Sequence, residues 1–169
     1  MQDRVFVKSD HIAILAIRFI IPLIIFDKLI VHQNSYHMLM SATIKSRFNQ
    51  HDIEVQTNGV VKEMKIAVKS TGLGSSMNGG ELLLLSLATC FCNDIYREAV
   101  KRNIKVTGVD VEVTGEFGAE GEPGTNFQYK ANVTSDASQQ EIDALITHTD
   151  QIAEIHNTLR KGLSITLKN

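Results

Sequence analysis

The stretch NGGELLLLSLATCFCNDIYREAVKRN, residues 78–103, decides how the chain folds. Glu81 to Asn103 is its longest helical candidate. Asn78 or Gly79 can cap the helix, and Glu81 lies in the first turn, where the positive end of the helix dipole favours a carboxylate. Leu82 to Leu85, Leu87 and Ala88 leave the first half without a polar side, which predicts a central, buried helix. The second half turns amphipathic and directs Arg97, Glu98, Lys101 and Arg102 to solvent. Its basic residues gather at the C-terminal end, as the dipole prefers.

Towards the N-terminus the pattern changes period. Ser41 to Phe48 alternates loosely. Ile53, Val55 and Thr57 alternate with Glu54 and Gln56, the signature of a half-buried strand. Asn58-Gly59 is a strong hairpin signal because both residues tolerate positive φ, and Val60 to Val68 reads as the returning strand. STGLGSSMNGG, residues 70–80, is a polar loop leading into the helix. On the other side, Ile104 to Phe117 is a long strand with Val109, Val111 and Val113 on one face and Asp110, Glu112 and Thr114 on the other. A turn-rich loop, residues 118–126, leads to a strand from Phe127 to Thr134. Ser138 with Glu141 forms a capping box for a second helix running to about Arg160. Its apolar stripe is Ile142, Leu145, Ile146, Ile152, Ile155 and Leu159. Gly162 stops it, and Leu163 to Leu167 is a short final strand. The expected fold class is α+β: an antiparallel β-meander, a central buried helix, a β-hairpin, a second helix and a final strand.

The 169 residues are enough for one domain with a real core. Hydrophobic residues make up 43% and charged residues 21%, close to globular norms. A net charge of −2 argues against nucleic acid as a bulk electrostatic partner, since phosphate binding needs a clustered basic surface. Two cysteines, Cys90 and Cys92, are too close in sequence to staple a fold. Their paucity fits a reducing compartment, and a cytoplasmic protein is expected.

Residues 1–37 differ from the rest. HIAILAIRFIIPLIIFDKLIVH, residues 11–32, is very apolar, but Arg18, Pro22, Asp27 and Lys28 interrupt it. A membrane span needs about 20 apolar residues with few charges, so no membrane association is expected. Three readings stand: a poor anchor or signal, a helix packing on the domain or its dimer partner, or sequence upstream of a true start at Met38 or Met40. The last is favoured slightly, and the domain is expected over residues 41–169.

Cys90 sits mid-helix, with Leu83, Ser86, Leu87, Asn93, Asp94 and Arg97 at helical spacing. Cys92 is rotated by about 200° from it, so an internal disulfide would distort the helix. Zinc takes about four ligands, and no cysteine remains to join these two. His148 and His156 are not at i, i+4 spacing. A cysteine in an apolar helix is most often a small core residue, inert where no cation lowers its pKa.

The run GGELLLLSLATCFC, residues 79–92, resembles the signature around the reactive cysteine of the OsmC/Ohr family, the osmotically inducible and organic hydroperoxide resistance proteins. HNTLRKG, residues 156–162, resembles the end of that family's second motif, and the order of elements agrees over about residues 41–169. The resemblance implies an intertwined homodimer with two central cysteine-bearing helices. It also implies reduction of hydroperoxides through a cysteine that becomes a sulfenic acid and is reset by a second cysteine and an external dithiol. No metal or organic cofactor is called for. Cys90 matches the first cysteine. The position of the second falls at Ala153, so the resolving thiol is absent. The family's glutamate falls at Gly80; Glu81, one residue later and about 100° round the helix, is a candidate in its place. Arg47 is the candidate for the activating arginine.

Two readings follow from the resemblance. In the first, the chain is a thiol peroxidase with Cys90 as its one essential cysteine, reset by a low-molecular-weight thiol or dithiol, or through Cys92 after a local helix opening that would disturb a buried helix. In the second, it is a non-catalytic homodimer whose cleft binds a small apolar ligand, with Cys90 a packing residue or redox sensor. An accessible thiolate beside a cation favours the first; a dry thiol without one favours the second.

Overall fold

The computed structural model describes residues 37–168. The readings of the N-terminal segment as an anchor or signal, a packing helix or sequence upstream of the true start fall on residues 1–36, outside the described residues. The chain runs β1 (Met40–Arg47), β2 (Gln50–Thr57), β3 (Val60–Met64), α1 (Gly79–Lys101), β4 (Val106–Glu116), β5 (Thr125–Ser135), α2 (Gln139–Ile152) and α3 (Glu154–Lys161). This is the expected α+β order up to the second helix.

The first three strands form an antiparallel sheet in the order β1-β2-β3. The β2–β3 turn is the Asn58-Gly59 pair, at φ 48° and 85°, a backbone that glycine and asparagine adopt at small cost. β3 ends at Met64, earlier than the expected Val68. Strands β4 and β5 form a separate long hairpin in which Val109 faces Val133, Val111 faces Ala131 and Val113 faces Tyr129. That valine face packs on α1. Phe91, Ile95 and Ala99 of α1 join Leu145 of α2 and Ala153 in the buried core, with Val109, Val111, Tyr129, Ala131 and Val133 against them.

Both helix starts form as the sequence directs. Asn78 caps α1 and Ser138 caps α2, each in a reciprocal capping box with Glu81 or Glu141 three residues on. Four other expectations are corrected. The first half of α1 is not buried all round: Leu85 is 51% exposed, because only the second half is enclosed by β4, α2 and α3 within this chain. Glu98 does not reach solvent but is buried, ringed by Arg97, Lys101 and His148.

The second helix is not continuous to Arg160. It breaks at Ala153, whose ψ of 108° is extended, and restarts as α3. Thr149, one turn earlier, donates its hydroxyl to the Leu145 carbonyl, a back-bond that bends helices. The carbonyls freed by the break are satisfied by α3: Asn157 Nδ2 donates to the Gln151 carbonyl (2.9 Å) and Arg160 to that of Asp150 (3.0 Å). Finally, Leu163 to Leu167 forms no strand. Ile165 and Leu167 are 95% and 90% exposed, and no strand edge of this chain pairs with them among the described residues.

Candidate active site at Cys90

Both cysteines are free thiols, and they look in different directions. Cys92 lines a hollow of about 450 Å³, of mixed polarity, with Asp110, Glu112 and Lys130 of the β4–β5 hairpin. Cys90, half-buried, lies on the wall of a cavity of about 740 Å³ between α1 and the β1–β3 sheet. The sheet contributes Ile44, Ile53, Val55 and Met64; α1 contributes Leu82 and Leu85; α3 contributes Ile155. Alternation in β2 and β3 and the i, i+3 spacing along α1 bring these side chains to one space. A cavity of that size and apolarity is suited to a small organic molecule.

The break at Ala153 determines what surrounds the sulfur. It turns α3 so that Glu154 and Ile155, its first residues, approach Cys90. The thiol donates to Asp94 Oδ2 at 3.5 Å, one helical turn along α1. The sulfur and one carboxylate oxygen each of Asp94 and Glu154 lie within 4.8 Å of one another. Arg97 joins the two acids, at 2.7 Å from Asp94 Oδ1 and 3.4 Å from Glu154, and also pairs with Glu98 at 3.1 Å. The cluster could offer ligands to a cation, but the guanidinium already brings positive charge between its carboxylates. Asp94 is only 3% exposed.

The electrostatics keep the proton on sulfur. Burial pushes the Cys90 thiol above its ordinary range, and the Asp94 and Glu154 carboxylates add to that. The backbone N–H of Ile155 opposes them, since an N–H aimed at sulfur favours the thiolate. Burial also raises Asp94, with Glu154 beside it acting in the same direction. By contrast the Lys101 ammonium holds Glu98 down to about 2.

The other two sequence candidates do not meet Cys90 within one chain. Arg47 ends β1, paired with Gln50 across the hairpin, and is not among the residues lining the cavity. Glu81 starts α1, nine residues before the cysteine, or about 13 Å of helix rise. Its carboxylate accepts the Asn78 N–H at 2.7 Å. Asp94 stands at i+4 from Cys90 and was therefore visible in the spacing, although nothing in the spacing assigned it a role. Glu154 and Ile155 had no signal, because alanine at 153 gives no hint of a break.

A second polar group lies on the other side of α1. His156 is buried between Phe91 and Tyr129, and its ring nitrogens have no hydrogen-bond partner among the described residues. Burial lowers its pKa and keeps it neutral. Tyr129 donates to Asp150, which Arg160 also holds, and burial pushes the phenol up to about 12.

Among the described residues no helix is long and apolar enough to cross a membrane. Known structures resemble the chain at low identity, and the first two below share its fold. An OsmC-like protein from Mycoplasma pneumoniae is 18% identical, with a TM-score of 0.54 over 75% of this chain and 89% of that one. A candidate osmotic stress induced and detoxification response protein from Psychrobacter arcticus is 14% identical, with a TM-score of 0.51 over 73% and 90%. An organic hydroperoxide resistance protein OsmC from Legionella pneumophila is 20% identical, with a TM-score of 0.48 over 75% and 90%. No curated protein matches the chain significantly. A family model for OsmC-like proteins matches residues 72–168, which hold the cysteine helix, the hairpin and both later helices; the chain belongs to the OsmC-like family.

Proposed function

We propose that this protein consumes organic hydroperoxides through a single thiol, Cys90, in the apolar cavity between α1 and the β1–β3 sheet. The observation that carries the reading is the position of the sulfur on the wall of that 740 Å³ space. An alkyl or aryl hydroperoxide would bury its carbon skeleton among Ile44, Ile53, Leu82 and Leu85 and bring its peroxide oxygens to the thiol. The sulfur becomes a sulfenic acid and the hydroperoxide an alcohol. Ala153 stands where a resolving cysteine would be needed, so a low-molecular-weight thiol resets the site. It condenses with the sulfenic acid to a mixed disulfide and water, and a second thiol then releases Cys90. The working unit in this reading is a homodimer in the cytoplasm, whose second copy covers exposed apolar residues such as Leu85 and Ile165. It also offers a place for Arg47 and Glu81 to act across the pair.

The test is consumption of cumene hydroperoxide with excess thiol, comparing the wild-type protein with Cys90→Ser. Turnover that disappears in Cys90→Ser is expected. A second reading is favoured by the carboxylates that hold the thiol protonated: a cleft that binds an apolar molecule without transforming it. Absence of turnover in both proteins, with saturable binding of a fluorescent apolar probe, would select that reading.

A further inference from the structure

Within one chain, and among the described residues, the sulfur at the centre of the site has no cation against it. Arg97, the cation of the cluster beside it, is engaged by Asp94, Glu98 and Glu154. Burial and two carboxylates favour the thiol over the thiolate. Cys90 therefore meets an electrophile still carrying its proton, and that proton has to leave as the sulfur attacks. Two carboxylates lie near the sulfur, and one of them is already bonded to that proton. Asp94 Oδ2 already accepts the S–H at 3.5 Å, while Oδ1 is held by Arg97 at 2.7 Å. A nucleophile bonded to a base, with the base oriented by a third group, is the arrangement of activated nucleophiles in general.

We propose that Asp94 is the catalytic base of Cys90, taking the thiol proton during attack on the hydroperoxide and returning it to the leaving oxygen. This rests on the peroxidase reading above. The step balances within the site. The S–H proton moves to the Asp94 carboxylate while a sulfur lone pair attacks the outer peroxide oxygen. The S–O bond forms as the O–O bond breaks. Sulfur is oxidised by two electrons and the hydroperoxide is reduced. The departing alkoxide takes the proton from Asp94 and leaves as an alcohol, and Cys90 is left as the sulfenic acid. The Ile155 N–H supports the charge that develops on sulfur.

The groups that bear on the pair are few. Arg97 of α1 holds Asp94, and Glu154 comes from α3. His148 of α2 is turned to Glu98. The residues of the β1–β3 sheet that line the cavity carry no titratable side chain, and Asp110, Glu112 and Lys130 of the hairpin face the Cys92 hollow instead. A pair that shares one proton should react at a rate independent of pH between the two titrations. A free thiolate should instead gain about tenfold per pH unit until the thiol titrates.

The experiment is single-turnover oxidation of the full chain by cumene hydroperoxide from pH 6 to 8, with sulfenic acid trapped and counted by mass. Alkylation by iodoacetamide is followed over the same range. The wild-type profile is expected to show a flat stretch, between the titrations of the carboxyl and the thiol. Asp94→Asn is expected to lose about 100-fold at pH 6–7, the scale of general-base assistance, and to recover a rising profile. Asp94→Glu is expected to keep the flat one. A wild-type profile that climbs about tenfold per pH unit across the whole range, or an Asp94→Asn variant as fast as or faster than wild type, would overturn the assignment and leave Asp94 as a carboxylate that merely restrains the thiol. The wild-type profile decides the matter even if Asp94→Asn fails to fold. If hydroperoxide does not react but alkylation shows the flat profile and its loss in Asp94→Asn, the peroxidase reading fails and the base stands.

Discussion

In the β4–β5 hairpin, Val109, Val111 and Val133 press against Phe91 and Ile95 of α1. In the β1–β3 sheet, residues of the same type stand open: Ile44, Val60 and Val61 are each more than half exposed. Both units are antiparallel and both alternate apolar with polar residues. The difference lies in what covers them. The hairpin is laid on a helix that turns its Phe91, Ile95, Ala99 stripe towards it, and the first sheet borders the cavity instead. Alternation tells which face a strand would bury, and only a partner surface decides whether it does.

This contrast can be broken or sharpened by mutation. Phe91 is fully buried at the hairpin–helix contact, so Phe91→Ala is expected to cost about 3–5 kcal/mol in urea unfolding. Ile44→Ala on the open sheet is expected to cost about 0.5 kcal/mol or less. A large loss there would mean that the sheet is covered in solution. Glu98→Gln removes the charge that Lys101, Arg97 and His148 surround, at about 1–3 kcal/mol near neutral pH. Because the native carboxyl is held down to about 2, below its ordinary 4.5, its contribution is present above pH 4.5 and is lost as the pH falls towards 2. The unfolding midpoint of wild type should therefore fall over that range, and that of Glu98→Gln should fall less. Ser138→Ala, which removes the cap of α2, is expected to cost about 1 kcal/mol in the same assay. Its effect should appear in hydrogen exchange of α2 and the hairpin, while β1–β3 amides stay unchanged.

The sequence was most legible where a residue type answers a local backbone demand. Asn58-Gly59, Ser138 with Glu141, and the start of α1 near Asn78 are of this kind, and each stands where it was expected. It was least legible where one part of the chain meets another. Ala153 has high helix propensity, yet the helix breaks there, because Ala153 packs into the core and α3 supplies side chains for the freed carbonyls. The charged end of α1 read as solvent-facing, but Glu98 collects three basic neighbours and is enclosed. At the site, the chain spacing pointed to Cys90 and placed Asp94 beside it. Glu154 and Ile155 depended on the break and could not be read. Arg47 and Glu81 came from resemblance, and within one chain they lie apart from the thiol.

The open sheet also bears on synthesis. Residues 40–64 leave the ribosome well before Leu145 and Ala153 complete the core. At about 5–20 residues per second, roughly 4–18 s separate the two events. During that interval the meander's edge strands β1 and β3, unpaired on their outer sides among the described residues, are open to another chain. Lys45 on β1 and Lys62 and Glu63 on β3, the two edge strands, are charges that discourage pairing with the nascent chain next door.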